Sequence, residues 1–91
     1  MSNVAAPAAR VRTIFLMPVF EDRRSAATLI AQLSRLPLRD TYVVAVEDGS
    51  TIEELSIDDI RQSDLEGEIL YLKRNVGHQR AIAIGLMHLS D

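Results

Sequence analysis

Three apolar runs of strand length divide the chain. Thr13-Ile14-Phe15-Leu16-Met17-Pro18-Val19-Phe20 and Tyr42-Val43-Val44-Ala45-Val46 are continuous rather than alternating, the pattern of strands covered on both faces of a sheet. Glu68-Ile69-Leu70-Tyr71-Leu72-Lys73 supplies a third strand. Pro18 has no backbone donor and marks the end of the first one. Between the first two runs, Ala26, Leu29, Ile30, Leu33 and Leu36 recur at three- and four-residue spacing, which predicts a helix ending before Pro37. Glu21-Asp22-Arg23-Arg24 opens that helix, with Asp22 as N-cap. Strand, helix and strand then form a right-handed β-α-β unit with a parallel pair. A polar turn, Arg74 to Gly77, leads to a last helix striped by Ala81, Ile82, Gly85, Leu86 and Leu89 and widened by Ile84 and Met87, more apolar surface than a solvent-facing helix needs.

The stretch between the second and third strands reads differently. Two capping boxes, Thr51 with Glu54 and Ser56 with Asp59, predict one or two short helical turns. From Glu53 to Glu68 there are seven acidic residues against one arginine, the signature of a solvated face. Asp64-Leu65-Glu66 lies in this solvated run and receives no metal role.

Composition narrows the classes of protein. Ninety-one residues make one small domain, with 47% hydrophobic and 25% charged residues, a globular balance. Residues 1–11 are small, Ala-rich and aperiodic, so they read as a flexible leader ahead of a domain spanning 12–91. A net charge of -3 offers no basic footprint for nucleic acid. The absence of cysteine removes disulfides, thiolate metal sites and cysteine nucleophiles, and fits a cytoplasmic location. No apolar run approaches the length that crosses a bilayer.

Candidate chemistry concentrates where the second strand ends, at Glu47-Asp48-Gly49-Ser50-Thr51. In an open α/β sheet, ligands collect beyond the carboxyl ends of the strands, so two carboxylates there define a candidate site. The plain alternative is a solvated turn that Asp48-Gly49 merely shapes. Lys73, Arg74 and Arg80 surround the last turn and either meet an anion at the helix start or balance the acidic stretch. His78 and His88, ten residues apart, read as surface or capping residues rather than ligands.

Three motifs carry a family resemblance: Pro18-Val19-Phe20-Glu21-Asp22, Val46-Glu47-Asp48-Gly49-Ser50-Thr51, and Arg74-Asn75-Val76-Gly77-His78-Gln79-Arg80-Ala81 followed by Gly85-Leu86. In this order and spacing the chain resembles the amino-terminal half of family 2 glycosyltransferases of the GT-A fold, with the last motif nearest to the transferases that act on polyprenyl phosphates. The resemblance covers Thr13 to Asp91. It implies an α/β, Rossmann-like three-layer half domain with three parallel strands in the order 3-2-1 and flanking helices. It also implies a pocket for the nucleotide of a UDP- or GDP-linked sugar at the strand ends, bordered by Pro18, Val19, Phe20, Asp22, Glu47, Asp48, Asn75 and Gly77. Asp48 would accept a hydrogen bond from the base, and Arg74 and Arg80 would meet the diphosphate. Glu47 stands where the family has aspartate, and Glu21 where it has asparagine.

The family's Asp-x-Asp, which holds Mg or Mn, and its catalytic base lie on segments that would follow Asp91. The resemblance therefore implies no catalytic and no metal-binding residue within this chain, and no sugar transfer by these residues alone. It also leaves the edge of the first strand, Ile14 to Val19, open and apolar, which predicts either self-association or a place within a longer protein. The alternative reading is a non-enzymatic α/β interaction or self-assembly module of the same half-fold. A receiver domain of the response-regulator type is disfavoured, because Asn75 occupies the region of its phosphoacceptor aspartate.

Overall fold

The computed structural model describes residues 13–38 and 40–90. The expected leader, 1–11, lies outside them. Six elements alternate along the chain: β1 (Thr13–Val19), α1 (Arg23–Leu33), β2 (Thr41–Glu47), α2 (Ile57–Arg61), β3 (Glu66–Tyr71) and α3 (His78–Ser90). The three strands form one sheet in the order β1-β2-β3. Both pairings are parallel, with Phe15 beside Val43 and Val43 beside Gly67. This is the α/β fold that the sequence pattern predicts, in the 3-2-1 strand order that the resemblance implies.

β2 is central, and its residues from Val43 to Glu47 are all buried. Successive side chains alternate between two covered faces, which is why the run is apolar at every position. On one face Met17, Val19, Val43 and Ala45 join Ala26, Ile30 and Leu33 of α1, Leu55 and Ile60 in the main core. On the other, α3 lies across the seam between β1 and β2. A Cβ added at Gly85 would overlap Leu16 of β1 and stand 3.1 Å from a methyl of Val46 on β2, so the helix approaches the sheet as closely as it does only because position 85 has no side chain.

Five expectations about the elements are corrected. α1 ends before Pro37 as expected, but at Leu33, short of Leu36: the Leu36 amide bonds the Leu33 carbonyl in a tightened turn and the Ser34 hydroxyl bonds the Ala31 carbonyl. Pro37 disfavours helical geometry at Leu36, and Leu29 and Leu36 stay exposed. Asp22 is the N-cap of α1, but its side chain makes no capping hydrogen bond. Of the two capping boxes only Ser56 with Asp59 forms, because the amide and hydroxyl of Thr51 both go to Glu21. β3 begins and ends two residues earlier than expected, since its length is set by pairing with β2, whose last residue, Glu47, stands opposite Tyr71. The broad stripe on α3 buries only Ala81 and Gly85. Among the described residues, no helix is long and apolar enough to cross a membrane.

Candidate functional site

The carboxyl ends of all three strands meet at one rim, and carboxylates hold that rim together. The Asp48 amide bonds the Val19 carbonyl at 2.7 Å and the Leu72 amide bonds the Glu47 carbonyl at 2.9 Å, so the tip after β2 is tied to both neighbouring strands. Alternation then sends the Glu47 and Asp48 side chains to opposite faces. Glu47 is 1% exposed and Asp48 0%. A buried carboxylate is tolerated only when its oxygens are hydrogen-bonded, and here both are supplied.

Asp48 accepts from the Val76 amide at 2.7 Å, the Gly77 amide at 2.9 Å and the Asn75 side-chain amide at 3.0 Å. The same Asn75 nitrogen reaches the Asp48 carbonyl at 3.2 Å. One aspartate thus shapes the whole turn from Asn75 to Gly77 and sets the start of α3. Gly49, at φ 78°, makes this possible: a Cβ there would overlap the backbone of Arg74 and Asn75. On the opposite face Glu47 accepts from the Ser50 hydroxyl and the Leu55 amide, anchoring the segment that leads to α2.

A third carboxylate completes the set. Glu21 adopts a left-handed φ of 48° directly after β1 and accepts from the amides of Thr51 at 3.0 Å, Ile52 at 3.1 Å and Glu53 at 2.8 Å. The Glu53 amide and then the Thr51 amide are the main causes that hold its carboxyl below the ordinary glutamate value. Its own amide donates to the Ser50 hydroxyl at 2.7 Å, so Ser50 links Glu21 to Glu47. Glu21 therefore spends its side chain on the loop after β2. Its signal in the sequence was the substitution itself; its target needed the fold.

Beside this rim a cleft of about 250 Å³ opens along the end of β1. Pro18, Val19, Phe20 and Asp22 line it together with Ser25, Leu29 and His78. Four of the eight expected nucleotide-pocket residues thus share one cleft. Glu47, Asp48, Asn75 and Gly77 do not line it: the two carboxylates are committed to the protein, and Asn75 and Gly77 donate to Asp48. Arg74 and Arg80 are exposed and do not line it. Sequence reasoning left out Ser25, Leu29 and His78, since α1 and the start of α3 reach the end of β1 only in the folded chain. Phe20 and Leu29 give the cleft an apolar wall, and Asp22 gives it one carboxylate with no capping bond to satisfy.

A larger cleft of about 450 Å³ lies between α1 and the loop after β2, lined by Arg23, Arg24, Ala27, Ile52, Glu53 and Glu54. Its charges are mixed and Arg23 is committed to Asp59 at 2.9 and 3.1 Å, so it lacks the apolar wall with few polar groups that marks a small-molecule site. Among the described residues no group of three or more His, Asp or Glu is placed to hold a metal ion. Glu47 and Asp48 do not fit that role, because their oxygens already face N–H and O–H donors.

The fold and rim define a small α/β half-sheet with a cleft at its strand exits. No protein-family profile, characterised protein or solved structure matches the chain.

Proposed function

We propose that the cleft beside β1 binds the nucleotide of a UDP- or GDP-linked sugar, as the donor-binding part of an inverting family 2 glycosyltransferase. The observation that carries this reading is the joint lining of one cleft, at the carboxyl ends of parallel strands, by Pro18, Val19, Phe20, Asp22 and His78. In this reading the Phe20 ring and Leu29 pack against the base. The Asp22 carboxylate accepts from ribose hydroxyls or a ring N–H. Asp48 acts as a positioning residue: it fixes the Asn75–Gly77 turn, and with it His78, against the cleft. Arg74, beside the same turn, and Arg80, in the first turn of α3, are exposed and are assigned to the diphosphate. The Mg or Mn of the complete family domain would neutralise that diphosphate; the described residues provide no ligand set for it.

The test is titration of the 91-residue chain with UDP and with GDP, followed by amide chemical shifts. Binding at the cleft is expected to move Val19, Phe20 and Asp22 most and Asn75 less, and Phe20→Ala with Asp22→Asn is expected to weaken it at least tenfold. Shifts absent with both nucleotides, or confined to residues away from β1 and the Arg74–Gly77 turn, would sink the reading. A non-enzymatic assembly module remains the second reading, and the observation favouring it is the outer edge of β1, which pairs with no strand among the described residues.

A further inference from the structure

The amino ends of the strands, remote from the nucleotide cleft, frame another cleft of about 350 Å³. Leu36 and Leu38, after α1, and Leu65, just before β3, give it apolar walls, and Asp40, Asp64 and Glu66 add three carboxylates. Among the described residues no basic side chain lines it, and none of its lining comes from β1 or α3. Leu36 is 49% exposed and Leu38 42%, so leucine surface stands open beside negative charge. Asp40 at φ 55° and Asp64 at φ 59° hold left-handed backbone, a conformation aspartate tolerates better than most residues.

One segment of the chain joins the domain at this rim. The Thr13 amide donates to the carbonyl of Asp40, a residue of the cleft itself, so the residues ahead of β1 are tethered beside it. Thr13 stands opposite Thr41, and Tyr42 opposite Glu66, so the strand starts are nearly level. Two strand spacings of about 4.8 Å separate β1 from β3, a distance that three or four extended residues cover at about 3.3 Å each. The composition of residues 1–12 is complementary to the cleft. Arg10 and Arg12 are its charges, and all thirteen acidic residues of the chain follow it. Its apolar residues, from Val4 to Val11, are alanine and valine around Pro7, which favours extended chain and has no N–H to satisfy.

We propose that residues 4–12 dock in this cleft as an extended strap. Arg10 and Arg12 lie among the carboxylates of Asp40, Asp64 and Glu66, and the small apolar residues cover Leu36, Leu38 and Leu65. Guanidinium and carboxylate form the stronger, charge-assisted class of hydrogen bond, and alanine and valine bring apolar cover without bulk. The tether selects this occupant over a separate peptide of similar composition, because a segment already joined at Thr13 is present at a roughly millimolar effective concentration. Docking joins the segment after α1 to the start of β3 and shields leucines that the fold leaves open. The two clefts share no lining residue, so this inference stands apart from the nucleotide reading.

Paramagnetic broadening in the whole chain tests it. The chain has no cysteine, so Asn3→Cys carries a single nitroxide label just ahead of the strap. Docking should broaden the amides of Leu38, Thr41 and Leu65 on the cleft. His88 and Leu89 are the controls: His88 bonds Glu68 from the opposite face of the sheet, and a segment merely tethered at Thr13 reaches both faces alike. Broadening at the cleft is expected to exceed that at the controls at least threefold. Arg10→Glu with Arg12→Glu, which lie ahead of β1 and should leave the circular dichroism of the fold unchanged, is expected to reduce the cleft signal at least twofold. Asp64→Asn, which keeps a residue suited to left-handed backbone, should lower it in the same direction. So should raising salt from about 0.01 M to about 1 M, which shortens the Debye length from about 30 Å to about 3 Å. Equal broadening on the two faces, or a cleft signal indifferent to the arginine reversal, overturns the proposal.

Discussion

Asp48 illustrates how a residue chosen for one chemistry serves another. As a candidate it was the carboxylate that reads a base; in the fold it is fully buried and accepts from two backbone amides and one side-chain amide. Asp48→Asn keeps the shape but turns one oxygen into an NH₂ that faces donors. With charge-assisted bonds contributing about 1.5–3 kcal/mol and an unsatisfied buried group costing about 1–3 kcal/mol, a loss of about 2–4 kcal/mol is expected in denaturant unfolding. Nearly unchanged stability would mean that the Asn75–Gly77 turn does not depend on this carboxylate. The motif Glu47-Asp48-Gly49-Ser50 was legible as a turn with importance, but the donors that Asp48 meets lie 27 to 29 residues away in sequence. No local pattern reaches that far.

At the scale of elements, α2 is the instructive case. Five residues are too few to sustain a helix in water. It stands because Ser56 and Asp59 cap it reciprocally, because Asp59 also receives Arg23 from α1, and because Ile60 is buried beneath it. Asp59→Ala removes the returning half of the box and leaves Arg23 without its partner. The pair is partly exposed, so solvent screening limits its share. A cap loss of about 0.5–2 kcal/mol is therefore the expected effect, with faster hydrogen exchange localised to residues 57–61. Exchange that rises equally throughout the chain would contradict a local role. The box at Ser56 was readable from spacing. The equally good spacing at Thr51 failed because Glu21, from another strand exit, offers the amides of 51–53 a carboxylate first.

For the whole molecule, acid is the condition that tests these carboxylates together. Glu68 is held below the ordinary 4.5 by the Tyr42 hydroxyl and then His88, and Asp59 below 3.8 by Arg23. Groups whose folded values are lowered add stability that is complete above their unfolded values and fades as pH falls through the folded ones. Their contribution should thus be constant through neutrality and decline below about pH 4.5, read as a falling denaturant midpoint. Glu68→Gln should make that decline shallower. A decline of unchanged steepness would show that Glu68 does not share in it.

The sequence by itself determined the element types and the parallel pairing, since unbroken apolar runs are stable only as strands covered on both faces and a β-α-β crossover has one favoured hand; the strand order came only with the resemblance. It also marked the three strand exits. The tertiary structure alone decided what the polar residues at those exits do. Whether Glu21, Glu47 and Asp48 face solvent, a ligand or backbone amides depends on which distant N–H groups the sheet and helices bring within about 3 Å, and hydrogen bonding at that range follows from three-dimensional placement rather than residue type. The same holds for the cleft, whose His78, Leu29 and Phe20 come from three separate segments and meet only where α1 and the start of α3 reach the end of β1.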